Sequence, residues 1–118
     1  MQMEDHLDDG VLVVKPMEQA LDAYAATSFR ERMAEFVQQG HRLIVLDLSQ
    51  VNFLDSTGLG AIVSSLKRLE GNGVMVICGA GEMVTDVLRL TRMDRVFPMV
   101  VTEADALALV RQRATRAA

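Results

Sequence analysis

The chain has 118 residues, 50% hydrophobic and 24% charged. That is the size and balance of one domain with a real core, and it excludes global disorder. Twelve basic residues against sixteen acidic leave a net charge of −4, and aromatics are only 4%, with no Trp. The class of general nucleic-acid binders, which needs a basic footprint or stacking platforms, is therefore excluded.

The single cysteine, Cys78, can form neither an internal disulfide nor a thiolate zinc site. The acidic N-terminus carries no apolar leader, and no run approaches the roughly 18 apolar residues of a membrane span. One soluble, cytoplasmic domain over residues 1–118 is expected, with a buried thiol.

Residues 1–10 hold Glu4, Asp5, Asp8, Asp9 and Gly10 and are expected to form a loose lead-in or a weak edge strand. Val11-Leu12-Val13-Val14 is a β-branched run ended by Pro16. From Thr27 to Gln39 the period turns helical. Phe29, Met33, Phe36 and Val37 make one stripe, Ser28 and Glu31 have capping-box spacing, and Gly40 suits a stop. Leu43 to Leu48 is a continuous apolar run, the pattern of a strand covered on both faces. After a short loop, a helix is expected to open at or just after Ser56. Leu59, Ile62, Val63, Leu66 and Leu69 keep its period, and Gly71 to Gly73 closes it. Val74 to Cys78 is the next buried strand. Glu82 to Thr91 reads as a helix with Met83, Val84, Val87 and Leu88 inward. Met99-Val100-Val101 is a last short strand. Glu103 to Arg113 is a last helix with Ala104, Leu107 and Val110 on one side, followed by a frayed tail over 114–118. Strands alternating with helices call for a mostly parallel sheet, an α/β domain. The order alone leaves open whether helices cover one face or both.

Several chemistries lack their residues. His6 and His41, the only histidines, have no second ligand at useful spacing, so no metal is expected. A nucleophile elbow at Ser56 would need Gly two residues back, where Leu54 stands. Gly79-Ala80-Gly81 lies between a strand and a helix, but Val84 fills the third glycine place of a dinucleotide loop, and Val63 does so after Gly58 and Gly60. A phosphoacceptor receiver domain would need a lysine after its last strand, and only Lys15 and Lys67 exist. The basic residues Arg111, Arg113 and Arg116 read as a solvated helix face. No cofactor, no catalytic residue and no direct membrane contact are expected.

What remains is Asp55-Ser56-Thr57-Gly58-Leu59-Gly60. A strand runs through a loop into a helix whose first N–H groups lack internal partners and carry the positive end of the dipole. Either Asp55 or Ser56 can cap it. Gly58 and Gly60 each cost about 1 kcal/mol against Ala within a helix, yet they bare the backbone to an approaching surface. Two readings stand level: a well-capped helix start with tight internal packing, or a docking turn. A phosphate on Ser56 would add about −1.5 to −2 charges, tolerable at a helix N-terminus but repelled by Asp55 and by any acidic or apolar partner. Such a group would leave the fold intact while loosening a docked complex.

The same residues resemble the STAS family, and within it the bacterial anti-sigma-factor antagonists. The resemblance runs from about Val11 to about Val110. It is most specific over Leu43 to Gly60, with support from Leu21-Asp22-Ala23-Tyr24 and from Leu90 to Phe97. It implies a single domain with a mostly parallel four- to five-stranded sheet and helices mainly on one face. It also implies partner switching by a protein that is not an enzyme. The unphosphorylated form would bind an anti-sigma factor that is also a Ser/Thr kinase of the GHKL type and free that protein's other client. The kinase would phosphorylate Ser56 and let go, and a PP2C-type phosphatase would reset the switch. Asp22 and Asp55 match acidic positions beside the phosphoacceptor; Thr57, Gly58, Leu59 and Gly60 match the docking surface. The alternative is an unphosphorylated STAS scaffold module, such as one serving a transporter, in which the hydroxyls are caps only. The chain departs from the family at Glu18-Gln19-Ala20, where a Gly-Glu or Gly-Arg pair is usual, and in its N-terminal strand, which the acidic lead-in hides.

Overall fold

A computed structural model describes residues 1–117 of the chain, apart from the side chains of Glu70 and Ala117. In chain order the elements are β1 (Met3–Asp8), β2 (Val11–Pro16), β3 (Ala20–Leu21), α1 (Ala23–Gln38), β4 (Leu43–Asp47), β5 (Phe53–Leu54), α2 (Ser56–Leu69), β6 (Val74–Cys78), α3 (Glu82–Leu90), β7 (Met99–Val100) and α4 (Glu103–Ala117). Five strands form one sheet in the order β1-β2-β4-β6-β7, and β3 and β5 form a separate two-stranded parallel pair. Within the sheet only β1 runs antiparallel, against β2.

The lead-in is thus not loose. Met3 to Asp8 pair with Pro16 to Val11, and Asp9 and Gly10 turn the chain with φ of 47° and 86°. An Asp-Gly turn with both φ positive matches the right-handed twist of a hairpin. The charged side chains of β1 stay in water and discourage further pairing along this edge. On the other side, β2, β4 and β6 carry the apolar runs that the continuous pattern implied, and Val11 to Val14, Ile44 to Leu46 and Met75 to Cys78 are buried.

Alternation along the buried strands divides the core in two. Leu12, Val14, Ile44, Leu46, Met75 and Ile77 face α1, α2 and α3, where Phe29, Met33, Ile62, Val84 and Leu88 are buried. Val11, Val13, Val45, Val76 and Cys78 face α4 through Ala106, Leu107 and Val110. Three helices therefore cover one face and one covers the other. The helix bias expected from the resemblance holds, with α4 as the minority.

Some sequence expectations shift. α1 opens at Ala23, not Thr27, because Asp22 caps it; Ser28 and Glu31 lie inside the helix and make no capping box. Met83 is exposed at 57%, while Val84 and Leu88 turn inward. Ala104 is exposed, and Ala106 takes its inward place beside Leu107 and Val110. α4 continues through Ala117 where a tail frayed from Ala114 was expected; Ala118 lies outside the described residues. Edge strand and α4 are tied together by Arg111, which donates to the Asp8 carboxylate at 2.6 Å and to the Asp8 carbonyl at 2.9 Å.

Candidate functional site

The two-residue strands β3 and β5 organise one end of the molecule. Their register pairs Leu21 with Leu54. Asp22 and Asp55, one residue on, therefore hold equivalent places, and each opens a helix. The Asp22 carboxylate accepts hydrogen bonds from the N–H groups of Tyr24 (3.0 Å) and Ala25 (3.2 Å) at the start of α1. The Asp55 carboxylate accepts from the Gly58 N–H at 2.8 Å at the start of α2. Donation from Asn52 N–H and Phe53 N–H to the Gln19 carbonyl, at 2.7 and 3.1 Å, fastens the loop before β5 to the one before β3. Two capped helix N-termini are so held side by side.

Asp55, not Ser56, is the cap of α2, which settles a choice that the residues alone left open. Ser56 is the first residue of the helix, and its side chain is exposed. Its hydroxyl makes no hydrogen bond among the described residues, and the Ser56 and Thr57 N–H groups find no acceptor there either. The turn presents a free hydroxyl and two free donors at the positive end of a helix dipole. Thr57 and Gly60 are also exposed, Leu59 is half-buried, and Asp22 and Asp55 are half-buried. The docking-surface residues that the sequence singled out therefore sit together on one end, with one exception.

The exception is Gly58. It is buried, and a Cβ placed on it would lie 1.9 Å from the Leu21 carbonyl oxygen and 3.1 Å from Leu54 Cδ1. Its missing side chain lets α2 approach β3 and turns no backbone toward a partner. Gly60 is the opposite case, because a Cβ there meets nothing within 4 Å. Internal packing thus explains Gly58, whereas a side chain at Gly60 would stand clear of the described residues.

Among the described residues the ion pairs are His6–Glu103, Asp5–Arg32 and Asp8–Arg111; none engages Glu18, Asp22, Asp55 or Glu82. A groove of about 520 Å³ runs beside the Asp22 cap between Met17, Glu18, Tyr24 and Ser28. Three large apolar side chains also stand in water here, none of them expected to be exposed: Tyr24 in the first turn of α1 (96% exposed), Phe53 on β5 (48%) and Met83, which was expected inward, in the first turn of α3. The helical period of α3 places Met83 inward, and Tyr24 precedes the stretch of α1 whose period is regular.

Among the described residues no group of three His, Cys, Asp or Glu side chains could hold a metal ion, and no helix is long and apolar enough to cross a membrane. Cys78 sits beneath α4; burial first, then the charges of Asp47 and Glu103, push its thiol up to about 12, with Lys15 opposing. It is a core residue, with too little thiolate at neutral pH to react.

Fold and site define a small α/β domain built around two capped helix N-termini that flank an exposed serine. A family model described as "STAS domain" matches residues 2–106, and the chain belongs to that family. It is 31% identical over 109 residues to a Paenibacillus polymyxa protein named "Anti-sigma F factor antagonist", covering 91% of each chain. The crystal structure of an anti-sigma factor antagonist from Mycobacterium paratuberculosis superposes with a TM-score of 0.86 at 28% identity, covering 93% of each chain. The Bacillus cell fate determinant SpoIIAA, solved in its phosphorylated form, shares the fold at a TM-score of 0.69 and 18% identity, with 92% of this chain and 99% of that one covered.

Proposed function

We propose that the protein is an anti-sigma-factor antagonist of a partner-switching pathway and works in the cytoplasm as a binding protein, not as an enzyme. Its unphosphorylated form binds an anti-sigma factor that is also a Ser/Thr kinase of the GHKL type, displacing that protein's client. Phosphorylation of Ser56 dissociates the complex, and a PP2C-type phosphatase restores the binding form. Asp22, Asp55, Ser56, Thr57, Leu59 and Gly60 contribute the docking surface, and Gly58 supports it from within.

One observation carries this reading. Asp55 fills the cap of α2, so the exposed Ser56 hydroxyl has no structural duty. In the scaffold alternative that hydroxyl would be a cap, and the position is already taken. A phosphate on Ser56 would meet the unpaired Ser56 and Thr57 N–H groups at a helix N-terminus, which tolerates the charge. A partner pressed on the same turn would have to bury roughly −2 charges beside Asp55, which breaks the contact. The kinship with proteins named as antagonists of anti-sigma factors supports the choice of partner.

The test is to incubate the protein with ATP and each GHKL-type kinase encoded in its own genome, then map the phosphate by mass spectrometry. Labelling of Ser56 by one kinase, abolished in Ser56→Ala, is expected. Labelling that persists in Ser56→Ala, or none with any kinase, overturns the assignment.

A further inference from the structure

We infer that the contact surface for this partner extends beyond the serine turn to an apolar ridge formed by Tyr24, Phe53 and Met83, and that it takes an apolar surface of the anti-sigma kinase bordered by basic groups. The inference rests on the function proposed above and adds to it residues on α1, β5 and α3. The three side chains come from separate elements that converge at one end. Tyr24 lies in the first turn of α1, directly after the Asp22 cap. Phe53 lies on β5, three residues before Ser56, and is half exposed although its strand neighbour Leu54 is buried. Met83 lies in the first turn of α3, at the lip of a cleft of about 190 Å³ formed with Val51, Asn52 and Glu82, where the loop leading to β5 meets that helix.

Large apolar side chains left in water around one site are what an interface core needs, and Tyr and Met are enriched there. Tyrosine contributes wide contact area at a small rotamer cost, and methionine adapts to its neighbour's shape. Charge decides the occupant. Glu18, Asp22, Asp55 and Glu82 border the ridge, and none is ion-paired among the described residues. A second copy docking through the same end would set carboxylates against carboxylates. A partner with Arg or Lys around an apolar centre would meet four acids that form no ion pair among the described residues, although Asp22 and Asp55 cap helices and Glu18 accepts from the Gln2 N–H. Phosphate on Ser56 would then have to be buried beside Asp55 against the partner's apolar centre, and that desolvation cost, not repulsion by the basic rim, opposes the contact.

The experiment measures the affinity of the intact protein for the kinase that labels Ser56, by calorimetry. The variants are Tyr24→Ala, Phe53→Ser and Met83→Ala, with Leu7→Ala and Leu90→Ala as controls. Leu7 and Leu90 are exposed at 62% and 85% but lie on the edge strand and at the far end of α3. Thermal melts check that each variant is folded. Tyr24→Ala is expected to weaken binding about tenfold or more, Phe53→Ser and Met83→Ala about three- to tenfold, and the controls less than twofold. A folded Tyr24→Ala and Met83→Ala pair that binds like the wild type overturns the ridge while leaving the Ser56 switch standing. Equal losses in ridge and control variants also overturn it. If no kinase binds the wild type, the proposed function fails and the ridge fails with it.

Discussion

Two glycines two residues apart in α2 should respond to alanine with opposite signs. A Cβ on Gly58 would lie 1.9 Å from the Leu21 carbonyl oxygen and 2.8 Å from its carbon. The obstacle is backbone, so no side-chain rotation relieves it, and either α2 or β3 must move by more than about 1 Å. Overpacking of this kind costs about 1–3 kcal/mol, and the rigid carbonyl puts Gly58→Ala near the top of that range. Alanine's better helix propensity returns about 1 kcal/mol, leaving a net loss of about 2 kcal/mol. At Gly60 nothing lies within 4 Å of the new methyl, so only the propensity acts, and Gly60→Ala should gain about 0.5–1 kcal/mol. Urea unfolding followed by circular dichroism reads both. At about 4 °C per kcal/mol, the melting midpoints should fall by about 8 °C and rise by about 2–4 °C. A Gly58→Ala protein as stable as wild type, or a Gly60→Ala protein destabilised alongside it, would refute the close approach of α2 to β3.

Three further outcomes follow from the same geometry. Asp55→Ala removes the acceptor for the Gly58 N–H and should cost about 1 kcal/mol in urea unfolding; a neutral substitution would mean that the cap lies elsewhere. Ser56→Asp should leave stability within about 0.5 kcal/mol of wild type, since the dipole welcomes the charge that Asp55 repels; a loss above about 2 kcal/mol would make Ser56 a structural residue. Cys78 has its folded value raised to about 12, so the unfolded chain gives up this proton first, and the contribution is intact below about pH 8.5 and lost as pH rises toward 12. From about pH 9.5 to 10.5 the wild type should lose about 1 kcal/mol more stability than Cys78→Ala; parallel pH profiles would contradict the buried thiol.

How far the sequence carried depends on the range of the interactions involved. The buried strands were legible because β2, β4 and β6 are covered on both faces and their apolar runs are unbroken. The start of α2 was legible because an Asp-Ser-Thr turn between a strand and a helical period is a local signal. For residues 1–10 the loose lead-in and the weak edge strand were both left open, and the edge strand is what forms; the Asp9-Gly10 hairpin turn that makes it went unread among the acids around it. Asp22 was picked out only through the family resemblance; its capping of α1 went unseen because the helical period only becomes regular past Thr27. Gly58 and Gly60 could not be told apart, since the atom that separates them, the Leu21 carbonyl, is far away in sequence.

The central claim is that Ser56 is free of structural duty and decides whether a partner stays bound. The most direct measurement is the affinity of one purified anti-sigma kinase for the protein before and after stoichiometric phosphorylation of Ser56, both samples checked for equal melting midpoints. Binding at least about tenfold weaker after phosphorylation, a difference of about 1.4 kcal/mol with the fold unchanged, is the result this account requires. Equal affinity of the two forms, or loss of binding that tracks loss of fold, would contradict it.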